Sequence, residues 1–245
     1  MPLHTVESTR LYRQIADQIA SLIDRGEFGV GDRLPAEREL ASVLGVSRTS
    51  VREAIICLEL AGRVDVRVGT GIFVREPPAA APAGAADDAP GPFELLDARA
   101  LIEGEIAARA APRIRKRDLA RLEQAIERMR AGRDDLARRD EADRDFHVAI
   151  AQATGNAALA AVVARLWNER SHPMWRRMQA HLHTTALHEM TVRDHTAIVA
   201  ALASRDADAA RGAMRRHLER VAREFQRRWE GPPGAPPPSA ATEAP

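Results

Sequence analysis

Residues 35–62 read PAERELASVLGVSRTSVREAIICLELAG, and their reading decides the N-terminal fold. Pro35 suits the first turn of a helix in which Leu40, Ala41 and Leu44 face inward and Gly45 closes the end. After a short turn at Gly45 and Val46, Ser47 is placed to cap a second helix. There Val51, Ala54, Ile55 and Leu58 form the core face, which leaves Arg48, Thr49 and Arg52 outward near the N-terminal end. Upstream, LYRQIADQIASLIDRG sets Leu11, Ile15, Ile19, Leu22 and Ile23 on one helical stripe and stops at Gly26. Downstream, VDVRVGTGIFV alternates like a strand, turns over Gly69–Gly71 and returns. Three helices, a tight helix-to-helix turn and a terminal hairpin describe a winged helix-turn-helix.

That arrangement suits DNA reading. A recognition helix enters the major groove N-terminus first, where arginine binds guanine edges and phosphates beside Ser and Thr hydroxyls. Arg48, Thr49, Ser50 and Arg52 occupy that end, with no acid before Glu53. An exposed polar face of an ordinary helical domain would look the same. Residues 1–76 hold 10 Arg against 11 Asp plus Glu, so the basic footprint of a nucleic-acid binder is local, not general.

The 245 residues suffice for two modest domains with apolar cores. Pro/Ala/Gly-rich stretches without hydrophobic period mark a linker at 77–92 and a disordered tail at 231–245. They divide the chain into an N-terminal domain, 1–76, and a C-terminal domain, 93–230. No apolar run is long enough to span a membrane, and the first residues lack the pattern of a signal peptide, so a cytoplasmic protein is the expectation. The single cysteine, Cys57, excludes an internal disulfide framework and reads as a small packed residue.

From Phe93 to Trp229 the pattern is helical throughout, six or seven segments with no strand, which gives an all-α bundle. One segment, DRDFHVAIAQATGN (143–156), carries an acid and an imidazole on its apolar face: Asp143 and His147 lie one turn apart beside Phe146, Ile150 and Ala151. His195 shares a stripe with Ile198, Val199 and Leu202, and His217 one with Met214, Leu218, Val221 and Phe225. Burying such groups costs several kcal/mol unless something satisfies them (roughly 2–7 for a polar group without a partner). One carboxylate and three imidazoles suit a divalent metal, Zn²⁺ first, with Ni²⁺, Mn²⁺ or Fe²⁺ also accommodated. Periodicity establishes that each residue points inward, not that the four converge.

The segment GDRLPAERELASVLGVSRTSVREAIICLELAGRVDVRVGTGIFV resembles the DNA-binding domain of the GntR family of bacterial transcription regulators. By that resemblance Arg38, Arg48, Arg52 and the wing glycine Gly69 contact the operator, with Thr49 and Ser50 alongside. DRDFH…ATGN, DHTAIVAAL and MRRHLE resemble the effector-binding FCD domain of the FadR-type subgroup, which implies that Asp143, His147, His195 and His217 ligate a divalent metal. It also implies that an effector carboxylate completes the metal shell and that Arg99, in LLDARALIEGEIA, sits near the ligand pocket. A guanidinium suits a bidentate grip on a carboxylate. GPFELLDARALIE and LWNERSHPMW are further similar to the hexuronate repressors of that subgroup, regulators of glucuronate and galacturonate catabolism. Asn168, Glu169, Arg170, His172 and Trp175 are candidates for reading sugar hydroxyls; His172, His181, His183 and His188 are left as solvent or pocket-rim residues.

The expectation is a homodimeric repressor, and no enzyme, that holds a palindromic double-stranded operator and whose DNA affinity is set by a hexuronate-type carboxylate bound at the metal. Another organic acid, or the metal itself, could be the signal. A DNA-tethered metalloenzyme is the alternative of another class, but no HExxH, GxSxG or second carboxylate cluster is present to serve one.

Overall fold

The computed structural model describes residues 10–67, 69–76, 89–132, 135–182 and 184–230. Most of the linker expected at 77–92, all of the tail at 231–245, and His183 lie outside them. The chain divides into two compact units, one built on the residues before Pro92 and one spanning Pro92–Phe225. Among the described residues there are ten α-helices and one two-stranded sheet, a mainly α architecture.

In the first unit, α1 (Leu11–Asp24), α2 (Glu37–Leu44) and α3 (Arg48–Leu60) precede an antiparallel wing, β1 (Val64–Arg67) and β2 (Gly71–Val74). Helix α3 is the core element: Val51, Ala54, Ile55 and Ile56 are wholly buried, and α1 packs on it through Tyr12, Ile15, Ala16, Ile19 and Ile23. Each buried Ile contributes about 1.5–3 kcal/mol. Two local expectations are corrected. Leu11 is 49% exposed and Tyr12 takes its place in the core, while Ile15, Ile19 and Ile23 are buried as the stripe predicts. Pro35 precedes α2, whose N-cap is Ala36. The Ser47 cap is present, its hydroxyl accepting from Ser50 N at 3.0 Å. Gly45 ends α2 in the left-handed region, φ 67°, where a side chain would be strained. The wing pairs Val64 with Val74 and Val66 with Ile72, while the segment before α2 bonds to its outer edge, Leu34 N to Ile72 O at 2.9 Å.

The second unit is all helical: α4 (Pro92–Ala110), α5 (Lys116–Ala131), α6 (Leu136–Ala153), α7 (Ala157–Asn168), α8 (Pro173–Leu182), α9 (Thr185–Ala203) and α10 (Ala207–Glu230, of which the part through Phe225 belongs here). Helix α6 packs on α4, α5 and α7, and α9 packs on α5. Asp135 caps α6 through Arg138 N at 3.1 Å, and Asn156 caps α7 through Ala158 N at 2.9 Å. Because α6 starts at Leu136, Arg139 and Asp140 stand one turn ahead of Asp143 on the same helix.

Candidate metal centre and nucleic-acid interface

Asp143 and His147 on α6, His195 on α9 and His217 on α10 come together inside the second unit. The three histidines are almost wholly buried, and each offers one ring nitrogen within 4.8 Å of the others. His147 Nε2 lies 3.3 Å from His195 Nε2, and Asp143 Oδ1 lies 3.4 Å and 3.0 Å from those two atoms. Two imidazole nitrogens bound at about 2.0–2.1 Å to one tetrahedral ion stand about 3.3 Å apart, so this spacing fits a shared Zn²⁺-like centre.

The outer partners set the tautomers. His195 Nδ1–H donates to the Thr191 carbonyl at 2.7 Å, and His147 Nδ1–H donates to the Glu103 carboxylate. In the neutral rings both Nε2 atoms then carry lone pairs, and they face each other and Asp143 Oδ1. His217 Nδ1 lies 3.5 Å from Asp194 Oδ2, outside hydrogen-bond geometry. Arg220 holds the other Asp194 oxygen at 2.5 Å, tying α10 to α9.

The electrostatics follow. Burial acts to raise the Asp143 pKa, but the His147 and His195 rings outweigh it and hold the carboxyl well below its usual range. Burial acts to lower the His147 pKa, yet the Glu103 charge and the Asp143 contact raise it. Glu103, despite full burial, is lowered to about 2 by Arg99 and His147. Burial, then the like charge of His195, lowers His217 to about 4. The cluster brings one carboxylate and three imidazoles together as a donor set that suits a cation.

Beside it lies a cavity of about 700 Å³, mouth included, lined by Asp143 and His217 together with Leu96, Arg99, Arg139, Asp140, Arg170, Trp175, Gln179, His188, Thr191 and Phe225 among others. Arg99 is 2% exposed; its Nε donates to Glu103 Oε1 at 2.6 Å, and its guanidinium stands 4.2 Å from the centre of the Trp167 ring. Arg170 donates to Asp143 Oδ2 at 3.2 Å and Asp140 Oδ1 at 3.1 Å while facing Trp167 and Trp175. Of the side chains put forward for sugar hydroxyls, Arg170 and Trp175 line the cavity; Asn168, Glu169 and His172 do not. His188, left on the rim by sequence, is buried and lines it. Glu103, Arg139, Asp140, Gln179 and Asp194 were not anticipated. A signal existed for Glu103, an acid four residues after Arg99 on one helix face.

In the first unit Arg38 and Arg48 are exposed. With Arg33, Arg67 and Gly69 they line one hollow between α2, α3 and the wing, so four arginines share a face of a domain that has no net positive charge. Gly69 adopts φ 76° at the wing turn, which favours glycine. Thr49 and Ser50 are half-buried, and the Ser50 hydroxyl lies 2.9 Å from that of Ser47. Arg52 does not face outward as its helix position suggested: it is 1% exposed, and its guanidinium donates to both Glu37 oxygens, at 3.3 and 2.8 Å. Its long side chain turns back beneath α2, where the carboxylate of Glu37 compensates the buried charge.

A winged helix-turn-helix bearing an arginine-lined face, joined in one chain to a helical unit that holds a cavity, defines a DNA-binding regulator. Residues 11–74 match the gntR family of bacterial regulatory proteins and residues 94–220 match the FCD domain; the chain belongs to the GntR family and carries an FCD domain. It is 42% identical to the Exu regulon transcriptional regulator of Escherichia coli K12, over 89% of this chain and 85% of that protein. It is 39% identical to the Uxu operon transcriptional regulator of the same strain, over 86% and 85%. The solved structure of Lar, which controls expression of the Listeria monocytogenes agr system, shares the fold at 19% identity and a TM-score of 0.50, covering 91% of this chain and 99% of that one. The family and these relatives are transcriptional regulators, which excludes the metalloenzyme alternative. No helix among the described residues is long and apolar enough to cross a membrane.

Proposed function

We propose that this regulator is a cytoplasmic, homodimeric repressor that releases a palindromic operator when a hexuronate-type sugar acid binds its FCD domain. In this reading residues 1–76 read DNA, 77–92 link, 93–230 bind the effector and 231–245 form a tail. The observation that carries it is the approach of His147 Nε2 and His195 Nε2 to 3.3 Å beside Asp143 Oδ1, in a cluster whose Asp143 and His217 line a cavity together with three arginines. Asp143, His147, His195 and His217 would hold a divalent ion, Zn²⁺ by donor type and spacing. Such an ion supplies a Lewis-acid site for a carboxylate oxygen.

The protein's own groups do the rest. Glu103 and Thr191 fix the ring tautomers, and Arg170 holds the second Asp143 oxygen. Arg99 sits between Glu103 and the Trp167 ring, where its remaining donors can meet the effector carboxylate. Arg38, Arg48, Arg52, Thr49, Ser50 and Gly69 would contact the operator; Arg52 does so only by exchanging Glu37 for DNA, or it positions α3 through Glu37.

Thermal shift on metal-loaded and chelator-stripped protein, against glucuronate, galacturonate, gluconate, lactate and fatty acyl-CoA, tests this reading, because a ligand of the folded state raises the midpoint by mass action. A hexuronate shift that vanishes on stripping is the expected result. A shift with another acid alone would remove the hexuronate effector. A shift with metal and no acid would make the ion the signal.

A further inference from the structure

Among the three cavity arginines, two are committed. Arg99 is bound to Glu103, and Arg170 to Asp140 and Asp143. Arg139 is different: it is 8% exposed, its Nη1 has no hydrogen-bond partner, and among the described residues it makes no ion pair. The Asp140 and Asp143 carboxylates act on its charge without bonding it, so what Nη1 lacks is an acceptor, and a buried donor without one is costly unless a ligand supplies it. Its place on the fold says where that acceptor lies. Arg139 stands four residues before Asp143 on α6, a rise of about 6 Å, so it marks the part of the cavity one helical turn away from the histidine cluster. Trp175 and Arg170, which line the same cavity, each leave a further buried donor unmatched, Nε1 and Nε. Unpaired donors on the wall call for oxygen acceptors on the ligand.

We propose that Arg139 is a specificity-determining residue, hydrogen-bonding an oxygen at the end of the effector remote from Asp143, His147, His195 and His217. The inference rests on the carboxylate-effector reading above and adds its length and chemistry: an acid that reaches a full helical turn from the cluster and carries hydroxyl or carbonyl oxygens at its far end. Short acids reach the cluster without meeting Arg139. Alkyl acids of the same length reach Arg139 and leave its Nη1 unsatisfied.

The test is calorimetric titration of the metal-loaded full chain, wild type, Arg139→Met and Arg139→Lys, with galacturonate, glucuronate, hexanoate and acetate. Metal content and thermal midpoint are measured for each protein. The expected result is a loss of about thirtyfold or more in uronate affinity for Arg139→Met, with acetate affinity and metal content unchanged and partial recovery in Arg139→Lys. Uronate binding by Arg139→Met at wild-type strength, or an equal loss for acetate and uronate, overturns the role of Arg139 and leaves the effector reading standing. If Arg139→Met does not fold, the uronate-to-acetate ratio of Arg139→Lys against wild type decides in the same way. Wild-type protein that prefers hexanoate to the uronates overturns both, and so does wild-type protein that keeps its metal and binds none of the four acids.

Discussion

His147 and His195 approach each other Nε2 to Nε2 at 3.3 Å, although the Nδ1 of each is already turned to an acceptor. Those two Nε2 nitrogens and Asp143 Oδ1, 3.4 and 3.0 Å from them, make a buried donor set that suits a divalent ion. Purified protein is therefore expected to retain a divalent ion through gel filtration. At metal a thousandfold above Kd the ion contributes about 4 kcal/mol, so chelation should lower the midpoint by on the order of 10 °C. His195→Ala should abolish both retention and the shift. Identical melting of loaded and stripped wild type would dismiss the centre.

Glu103 joins the cavity to the cluster, receiving Arg99 on one oxygen and His147 on the other. Glu103→Ala strands a guanidinium in the interior, which typically costs about 3–5 kcal/mol, and it also frees the His147 ring, for which outer-partner losses run at about 10–100-fold in metal affinity. Urea denaturation and competitive metal titration measure the two separately. Glu103→Gln, which keeps the shape, should lose less stability than the alanine variant. Equal stability of Glu103→Ala and wild type would show that the pair is not a structural unit.

Arg52 and Glu37 predict a division between folding and DNA reading. Both are buried and joined by two bonds, so Glu37→Ala, which takes both from a buried cation, should destabilise the first unit by about 3–5 kcal/mol. Arg48→Ala, at an exposed site, should change stability by about 0.5 kcal/mol or less. Equilibrium unfolding followed by circular dichroism compares them. A neutral Glu37→Ala would mean that Arg52 is free to leave its partner and face DNA.

Local pattern was enough: strand alternation for the wing, cap chemistry for Ser47, and helical period for the inward faces of Asp143, His147, His195 and His217. It could not place α6, α9 and α10 against one another, since packing of helices distant in sequence leaves no mark on the period of any one of them. Arg52 was misread for a related reason: the Cβ direction is set by the helix, but a long side chain can turn beneath a neighbour when a carboxylate waits there. Glu103 passed unnoticed because a buried Arg–Glu pair at i,i+4 has the same spelling as a solvated one. The phase of α1 held at Ile15, Ile19 and Ile23 and missed only its first position, because Leu11 and Tyr12 are both plausible at the start of an apolar stripe and only the packing on α3 chooses.

The coupling between the two activities is the remaining prediction. If a sugar acid lowers operator affinity 100-fold, the coupling free energy is about 2.7 kcal/mol, and operator DNA must lower affinity for the acid by the same factor. Fluorescence anisotropy of labelled operator at fixed salt, with and without acid, gives one side; titration of the acid into protein alone and into the protein–DNA complex gives the other. Arg48→Ala should weaken operator binding, reduce its salt slope by about 1, and leave acid affinity and metal content intact, because its exposed guanidinium lies on the DNA-reading unit. His195→Ala should keep operator affinity and lose the response, because the ring belongs to the buried cluster of the second unit and not to the winged-helix unit. A full response in His195→Ala would separate effector binding from the histidine centre, and factors that differ between the two sides of the cycle would mean that acid and DNA do not act through one two-state equilibrium.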